Sequence, residues 1–458
     1  MALEPTSTVY LPIETLSREL DARLLLASRL LRQHVPVVIG QQWLINQNLA
    51  SGYPPGSVFL KGMNRIQAGF AMHLASCGNI LFACDEEALS LSNEAFMSRD
   101  IFPSFVESCA LIFAQGAFHR QAIINRTGCS PDKVVAAGNA RLDLLRPVFR
   151  GVHDREVAQI KARHGKFVLF NTNTGVVHSA WGGEEAHERV MIRTGWLDQN
   201  EPWTFDMHRR TVTLDHLNYD LTRETVRGLA IGEPSLKIVL RPHPAENTDA
   251  WLKEFTDLPN VEVIREGGIA AMILASRLVL HTGCTTGVEA MLVGHPTMSI
   301  RPNDQKQDQW QWFVSNHVNP VAIGVADAIE KTRQFLAGNL DLEANRVEER
   351  RAAKNLHFSG LDGDFVFETT ANRILGHIRS RILQDQNYRW SPAEPGKVIG
   401  AIERAAYFQR KMSISLEEIT ERYRFLLHHA GGGRPTSIRQ IGDSVFLFEN
   451  NEARATAV

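Results

Sequence analysis

Short apolar runs alternate with segments of helical periodicity along most of the chain. The first run, Val9 to Ile13, is followed by residues 17–33, in which leucine and alanine recur at helical spacing. The same succession repeats with apolar runs at Val35 to Ile39, Val58 to Leu60, Asn79 to Ala83, Cys109 to Ala114 and Lys133 to Ala136. Alternating strands and helices predict a parallel sheet flanked by helices. The fold class is therefore predicted to be α/β.

The strand–helix alternation restarts after a charged helical stretch near residue 154. The second series of apolar runs comprises Lys166 to Phe170, Leu236 to Leu240, Val261 to Ile264, Leu278 to Leu280 and Thr297 to Ile300. Between the first two of these runs, residues 181–219 have the character of an insertion. We therefore predict two Rossmann-like domains, residues 1–150 and 151–385, facing a central cleft, and a mainly helical C-terminal appendage at 386–458. Because such sheets bind ligands at the carboxyl ends of their strands, the active site is expected in the cleft.

Charge and cysteine content exclude several classes of protein. The 458 residues carry 49 Lys and Arg against 51 Asp and Glu, so no basic field points to a nucleic-acid partner. The five cysteines are far apart and odd in number, which argues against a disulfide framework and favours a reducing cytoplasm. The sequence shows neither a signal-peptide pattern nor an apolar stretch long enough to span a bilayer. We expect a cytoplasmic protein.

The sequence also lacks the common catalytic and nucleotide-binding patterns. It contains no GxxxxGK[ST], no GxGxxG after the first strand, no HExxH and no GxSxG. Asp362-Gly363-Asp364 matches the DxD pattern of metal-dependent glycosyltransferases, but Asp and Gly are also preferred at turns and caps. We interpret it as a turn before a helix that starts near Phe367, and we predict no bound metal.

The strongest local signal is Arg241-Pro242-His243-Pro244, directly after an apolar strand. The two prolines stiffen the loop, so that His243 could be held toward a ligand and donate a hydrogen bond to a phosphate or leaving-group oxygen. The alternative is a structural histidine in a proline-rich turn.

A second signal, Thr282-Gly283-Cys284-Thr285-Thr286, follows the Leu278 strand and leads into a helix that carries Glu289. Glycines allow close backbone approach, and hydroxyls and helix N-terminal N–H groups bind phosphate oxygens. Glu289 could accept hydrogen bonds from ribose hydroxyls. Alternatively, the run only caps a helix.

A further polar loop follows the first strand of the second domain. There Thr172 and Thr174 are modest candidates for contact with a donor phosphate.

Acidic residues at strand ends of the first domain are candidates for a general base. Asp85, Glu86 and Glu87 follow one strand, and mutual repulsion is expected to raise the pKa of at least one of them. The alternative is an acidic helix N-terminus. Glu14 and Glu19, just past the first strand, are rival candidates.

Two basic residues, Lys61 and Arg65, follow another strand of the first domain. They could neutralise the carboxylate of an acceptor or donor, or simply form a solvated loop.

The combination of His243 and Pro244 with Thr285, Thr286 and Glu289 resembles the nucleotide-binding half of GT-B glycosyltransferases. It is most similar to bacterial enzymes that use CMP-activated sugars, the capsule Kdo transferases and the sialyl- and polysialyltransferases, and to CDP-glycerol glycerophosphotransferases. The chain also resembles bacterial surface carbohydrate biosynthesis proteins over roughly residues 8–380. The segments that carry this second resemblance are Val9 to Ile13, Ser17 to Ala27, Lys61 to Ile66, Cys84 to Ala88 and Gly138 to Asp143.

The resemblance implies a metal-independent glycosyltransferase with an N-terminal acceptor domain and a C-terminal nucleotide-sugar domain. It would move an ulosonic or nonulosonic acid from a CMP-linked donor to a glycan or lipid-linked glycan of a capsule or lipopolysaccharide. The donor would be a substrate, no cofactor would be needed, and the enzyme could associate peripherally with the inner face of the membrane. Alternatives are a UDP-sugar 2-epimerase, a CDP-glycerol-type phosphotransferase and a non-catalytic scaffold of polysaccharide assembly.

Overall fold

The computed structural model describes residues 8–51, 55–303, 312–384, 413–433 and 436–450. These residues form two compact units, each with its own sheet. The first unit contains the residues up to Glu87, Asp100–Val152 and the residues from Phe358 onward. The second unit contains Ala88–Arg99 and His153–His357. The first unit is therefore discontinuous in sequence.

The regular elements follow the predicted alternation of strands and helices. The strands of the described residues are β1 (Val9–Ile13), β2 (Val37–Gln41), β3 (Ser57–Lys61), β4 (Ile80–Cys84), β5 (Cys109–Ala114), β6 (Val134–Ala136), β7 (Phe167–Asn171), β8 (Lys237–Arg241), β9 (Val261–Val263), β10 (Leu278–His281), β11 (Thr297–Arg301), β12 (Val321–Ile323), β13 (Thr436–Gly442) and β14 (Val445–Asn450). The α-helices of the described residues are α1 (Leu16–Leu31), α2 (Gln42–Ala50), α3 (Arg65–Ser76), α4 (Glu94–Ser98), α5 (Pro103–Ser108), α6 (Ala117–Thr127), α7 (Asp154–His164), α8 (Glu184–Arg193), α9 (Trp203–Gly232), α10 (Thr248–Glu254), α11 (Ile269–Ala275), α12 (Thr285–Leu292), α13 (Ser315–Val318), α14 (Gly324–Leu336), α15 (Val347–His357), α16 (Val366–Gln384) and α17 (Leu416–His429).

The first sheet has the strand order β13-β14-β2-β1-β3-β4-β5-β6. Strands β1 to β6 run parallel, whereas β14 is antiparallel to β2 and to β13. The chain adds β2 on one side of β1 and β3 on the other, so the strand order reverses between β1 and β3. An open parallel sheet binds its ligands at such a switch point, outside the carboxyl ends of the strands.

The second sheet has the order β9-β8-β7-β10-β11-β12, and all its strands are parallel. Numbered within the unit, this is the 3-2-1-4-5-6 order of the Rossmann fold, with the switch point between β7 and β10. In β7 the residues Phe167, Val168, Leu169 and Phe170 are fully buried, as expected for a sheet covered on both faces. The predicted α/β class with two Rossmann-like domains is confirmed.

Helix α1 shows why an apolar stripe specifies packing in the first unit. Leu20, Leu24 and Leu30 are buried against the sheet and against α16 and α17. Burial of each leucine side chain stabilises the fold by about 1.5 to 3 kcal/mol.

The structure divides the chain at different points from the predicted domain boundaries. Helix α16, predicted to belong to the second domain, lies in the first unit. The carboxylate of Asp143 accepts hydrogen bonds from the backbone N–H groups of Val366 and Phe367, at 3.1 and 2.9 Å, and so caps this helix. The Asp362–Asp364 segment is an exposed bend just before α16, which confirms the turn interpretation.

The C-terminal residues join the first unit as well. Strands β13 and β14 form a hairpin that extends the first sheet beyond β2. Gly40 of β2 makes this possible, because a Cβ atom there would collide with Ser444 and Val445. Helix α17 was predicted at the same residues, whereas β13 was not predicted, and the helix predicted at 396–410 lies outside the described residues. The supposed insertion at 181–219 is α8 and most of the long helix α9.

In the part of the chain that the structure describes, no helix is long and apolar enough to cross a bilayer.

Candidate functional site

Three neighbouring strands of the second sheet, β10, β7 and β8, end in register. Their last residues His281, Asn171 and Arg241 lie opposite one another. The loops that follow these strands therefore begin at the same edge of the sheet, on both sides of the switch point. These loops contain most of the residues predicted to bind a nucleotide.

The side chain of His243 is exposed, and two hydrogen bonds hold the residue in place. Its N–H donates to the hydroxyl of Thr172 at 3.1 Å, and its Nδ1 accepts the N–H of Ala245 at 3.2 Å. Because Nδ1 accepts this hydrogen bond, Nε2 is the ring nitrogen that carries a proton. His243 can therefore donate an N–H to an anion, with the exposed Pro244 beside it.

Arg241 supports a neighbouring loop. Its guanidinium donates to the carbonyl oxygens of Glu266 and Gly267 at 2.6 and 2.7 Å. Burial lowers the pKa of Arg241, partly offset by Glu156 and Glu289. These contacts place Arg241 as a brace for the loop after β9, and its predicted contact with a nucleotide stays a prediction.

The loop after β10 depends on glycine at one position. Gly283 has a φ of +132°, and a Cβ there would come within 2.9 Å of the Phe313 ring. The N–H of Cys284 donates to the hydroxyl of Ser315 at 3.1 Å. The hydroxyl of Thr282, a residue only 2% exposed, has no hydrogen-bond partner among the described residues. Leaving a buried hydroxyl without a partner costs free energy.

Helix α12 begins at Thr285, and Asn171 links it to β7. The side-chain amide of Asn171 donates to the Thr286 hydroxyl at 3.2 Å, and that of Asn173 donates to the Gly283 carbonyl. Together with the buried Glu289, these residues connect the two loops across the switch point. A helix N-terminus with hydroxyl groups at this position suits a phosphate.

Residues around α13 hold α12 in place, and the sequence analysis missed them. Asn319 donates to the carbonyl oxygens of Gly287 and Ser315, each at 2.9 Å. His281 packs on Gly287, where any side chain would collide with its ring. Burial lowers the pKa of His281 to about 3, so this histidine is neutral. The polar run Ser315-Asn316 within an apolar segment was the available signal.

Glu246 is a buried carboxylate that the sequence analysis did not single out. It accepts hydrogen bonds from the Thr172 hydroxyl (2.6 Å), the Thr174 N–H (2.7 Å) and the Trp251 indole N–H (2.6 Å). Thr172 and Thr174 are themselves buried. Because Thr172 gives its proton to Glu246, it has none left for a phosphate. Thr172 therefore supports the His243 loop, and the predicted contact of Thr172 and Thr174 with the donor stays a prediction.

The predicted rivals in the first unit form one charge cluster at the β1–β3 switch point. Lys61 contacts Glu14 and lies 3.5 Å from Glu19. Arg18 contacts Glu19 at 3.3 Å and Glu87 at 2.6 Å. Alternating cations and carboxylates thus join the acids after β1 to the acidic run after β4. Arg65 opens α3 as an exposed residue.

The three acids of the run differ in their surroundings. Asp85 is buried, and its carboxylate accepts the N–H of Glu87 at 3.0 Å. Glu86 is also buried, accepts a hydrogen bond from Asn139 at 2.9 Å, and lies 3.6 Å from Arg23. The side chain of Glu87 is 64% exposed, so it is the one acid of this run open to a substrate.

The expected rise in pKa does not occur at Glu87. Desolvation favours its neutral form, but Arg18, Lys61 and Arg141 outweigh this and lower the pKa of Glu87 below its ordinary value. Repulsion within the run was the basis of the prediction, and at Glu87 the neighbouring cations outweigh that repulsion.

Among the described residues, no group of His, Cys, Asp and Glu side chains is arranged to hold a metal ion.

The fold is that of an α/β protein of two Rossmann-like units, and each unit has polar loops at the switch point of its sheet. No family model and no curated protein matches the sequence. Solved structures with a similar fold include a UDP-GlcNAc 2-epimerase from Neisseria meningitidis bound to UDP-GlcNAc, at a TM-score of 0.48 and 12% identity over 82% of this chain and 99% of that one.

Two further structures are similar at the same level. The wall teichoic acid polymerase TagF has a TM-score of 0.48 and 9% identity over 82% of this chain and 90% of that one. HepE from Anabaena, in complex with UDP and glucose, has a TM-score of 0.43 and 13% identity over 82% of this chain and 99% of that one. Similarity of this degree does not extend to a reaction or a ligand.

Proposed function

We propose that the protein is a glycosyltransferase that uses a nucleotide-activated sugar. The observation that carries this proposal is the polar loop at the second switch point, where the buried Thr282 hydroxyl lacks a partner beside the start of α12. A ligand with phosphate and hydroxyl oxygens would supply that partner. The Rossmann-type strand order supports a nucleotide at this edge.

The residues of the second unit would divide the work between binding and leaving-group stabilisation. The N–H groups at Thr285 and Thr286 would bind the phosphate, and Glu289 would accept hydrogen bonds from the ribose hydroxyls. His243 would donate its Nε2 proton in a hydrogen bond to the phosphate oxygen that departs from the sugar. The role of His243 is consistent with its exposed side chain, whose Nδ1 already accepts the N–H of Ala245.

The first unit would activate the acceptor. We assign the general base to Glu87 among Asp85, Glu86 and Glu87, because its side chain is the exposed one of the three. Glu87 would take the proton of the acceptor hydroxyl as that oxygen bonds to the sugar carbon and the bond from the sugar carbon to the phosphate oxygen breaks. Lys61 would attract a substrate carboxylate, with Arg65 as a further candidate.

The sequence resemblance makes CMP the proposed nucleotide, an ulosonic or nonulosonic acid the donor sugar, and a glycan or lipid-linked glycan the acceptor. The reaction would need no cofactor. A lipid-linked acceptor would place the enzyme at the inner, cytoplasmic face of the membrane. Vesicle flotation with and without such an acceptor tests that location.

Nucleotide binding is the decisive experiment. Calorimetry with CMP, CDP, UDP and GDP should show a preference for CMP, and Thr286→Val should weaken it by about 1 to 3 kcal/mol, as expected for loss of a hydrogen bond to a charged group. Thr213→Val, on the exposed side of α9, is the matched control. A preference for UDP would favour a sugar epimerase, and a preference for CDP would favour a glycerol phosphotransferase. If none of the four nucleotides binds, a non-catalytic scaffold is favoured.

A further inference from the structure

Flat side chains form two stacks in the second unit. In the first stack, the ring of Phe96 lies 5.0 Å from that of Trp312, and the Arg99 guanidinium lies over both Phe96 (4.5 Å) and Trp196 (4.9 Å). Phe96 and Trp312 are buried. This stack is explained by packing.

The second stack ends in solvent. The rings of His187 and His208 are parallel at 5.7 Å, and the ring of Trp181 lies 5.3 Å from that of His187, tilted by 31°. Burial lowers the pKa of His187 to about 4, with smaller contributions from His208 and Arg99, so the imidazole stacks without charge. Trp181 is 57% exposed. Its indole is therefore supported on one side and left open to solvent over more than half of its surface.

The Trp181 segment is fixed to the His243 loop. The N–H of Ala180 donates to the carbonyl of Ala245 at 2.8 Å, and Ser179 pairs with Glu246 in an antiparallel bridge. The N–H of Trp181 itself donates to the Ser179 hydroxyl at 3.2 Å. The segment that carries Trp181 is thus attached to the loop proposed to hold the phosphate.

The first stack is fixed to the other phosphate loop. Phe313, next to Trp312, packs against Gly283 and pairs with Leu91. The first stack therefore borders the loop after β10, whereas the Trp181 segment borders the loop after β8.

We propose that Trp181 is a stacking platform for the pyranose ring of the donor sugar, an inference that rests on the proposed function. The sugar is bonded to the phosphate, so it must lie beside the His243 loop, and the segment that is hydrogen-bonded to that loop carries Trp181. The apolar C–H face of a pyranose packs on an indole, while its hydroxyls remain in water. Neutral His187 behind the indole keeps the platform in place.

The test compares a nucleotide with its own sugar conjugate. Calorimetry is run with CMP against CMP-N-acetylneuraminate and with UDP against UDP-GlcNAc, on wild type, Trp181→Ser and Trp181→Phe. Trp181→Ser is expected to bind the conjugate of the preferred nucleotide about tenfold more weakly, while the bare nucleotide changes less than about twofold. Trp181→Phe should recover most of the loss. Ile231→Ser removes a similarly exposed apolar side chain from the end of α9 and should change neither affinity.

Two outcomes overturn the platform. If Trp181→Ser leaves the affinity for the conjugate unchanged, the indole does not contact the sugar. If the bare nucleotide weakens as much as the conjugate, Trp181 contacts the nucleotide instead. If wild type binds none of the four compounds, both proposals are overturned. If wild type binds a nucleotide but Trp181→Ser leaves the affinity for its sugar conjugate unchanged, only the platform is overturned.

Discussion

Thr172 donates its hydroxyl proton to Glu246 across 2.6 Å and accepts the backbone N–H of His243 at 3.1 Å. Glu246 also accepts the indole N–H of Trp251, so a buried chain of hydrogen bonds runs from α10 to the His243 loop. A buried carboxylate with several donors is rigid, because leaving any donor unpaired costs free energy. The position of His243 therefore depends on a hydroxyl that itself has no proton to give a ligand.

Replacing Thr172 tests this chain. Thr172→Val keeps the shape but removes both hydrogen bonds, so the His243 loop should loosen and nucleotide affinity should fall about tenfold. Thr172→Ser keeps the hydroxyl and should restore affinity. Nitrogen-15 chemical shifts of His243 should report the Nε2–H tautomer in wild type and in Thr172→Ser, and mixed tautomers in Thr172→Val.

A uniform loss of stability without a change in the His243 tautomer would show that Thr172 supports the fold only.

His243 itself should matter for turnover more than for folding. Its side chain is exposed, so His243→Ala should leave the unfolding midpoint nearly unchanged. The variant should lose about 2 to 4 kcal/mol of transition-state stabilisation, as when an oxyanion-type donor is removed. The rate constant of transfer at saturating donor is compared between wild type and His243→Ala. His73→Ala, at an exposed position of α3, is the control. A full transfer rate in His243→Ala would remove it from the mechanism.

The sequence predicted what depends on local pattern. Buried parallel strands are continuous apolar runs, so β1, β5 and β7 were found within one or two residues. Strand β13 was missed because Ile438 alternates with polar neighbours and the strand pairs only with β14, at the edge of the sheet. Helix α16 was assigned to the wrong unit because the cap that holds it, Asp143, is more than two hundred residues away in sequence.

In the candidate site, too, features of local sequence were predicted and contacts between distant residues were not. The His243 and Thr285 loops were predictable, since proline, glycine and threonine after a strand have local meaning. The roles of Glu246 and Asn319 could not be predicted, because each depends on hydrogen-bond partners that are distant in sequence and are brought together only by the sheet. The acidic run was identified from the sequence, but the lowered pKa of Glu87 was not predicted, because Arg18 approaches Glu87 from another element.

Glu86 and Glu87 should separate stability from turnover. Glu86→Gln leaves the buried Arg23 without its nearby carboxylate and should lower the free energy of unfolding by about 3 kcal/mol, as expected for a broken buried pair. Glu87→Gln breaks only an exposed pair and should cost less than about 1 kcal/mol. Its transfer rate should nevertheless fall by about 10²-fold or more. Denaturant unfolding and initial rates measure the two effects.

If Glu87→Gln transfers normally while Glu14→Gln is inactive, the base lies after β1 and the assignment to Glu87 is wrong.

Asp215 should make stability depend on pH through the segment that carries Trp181. Its carboxylate accepts the N–H groups of Val176 (2.6 Å) and Val177 (3.3 Å). Desolvation, partly offset by these hydrogen bonds, raises the pKa of Asp215 to about 7 from an ordinary 3.8. The folded state therefore binds this proton more tightly than the unfolded state does, and stability falls as the pH rises from about 4 to about 7, then levels off.

Asp215→Asn mimics the protonated acid and keeps a carbonyl oxygen that can accept both N–H groups. It should match wild type near pH 4 and become more stable than wild type by up to about 4 kcal/mol above pH 7, the full value of a shift of about three pKa units. Urea unfolding of both proteins at intervals of half a pH unit measures the difference. Asp220→Asn, on the exposed side of α9, controls for loss of one negative charge. A stability difference between Asp215→Asn and wild type that stays constant across this range would mean that Asp215 is ionised in the folded protein at every pH tested, and the segment would then be held by a charge instead of a neutral acid.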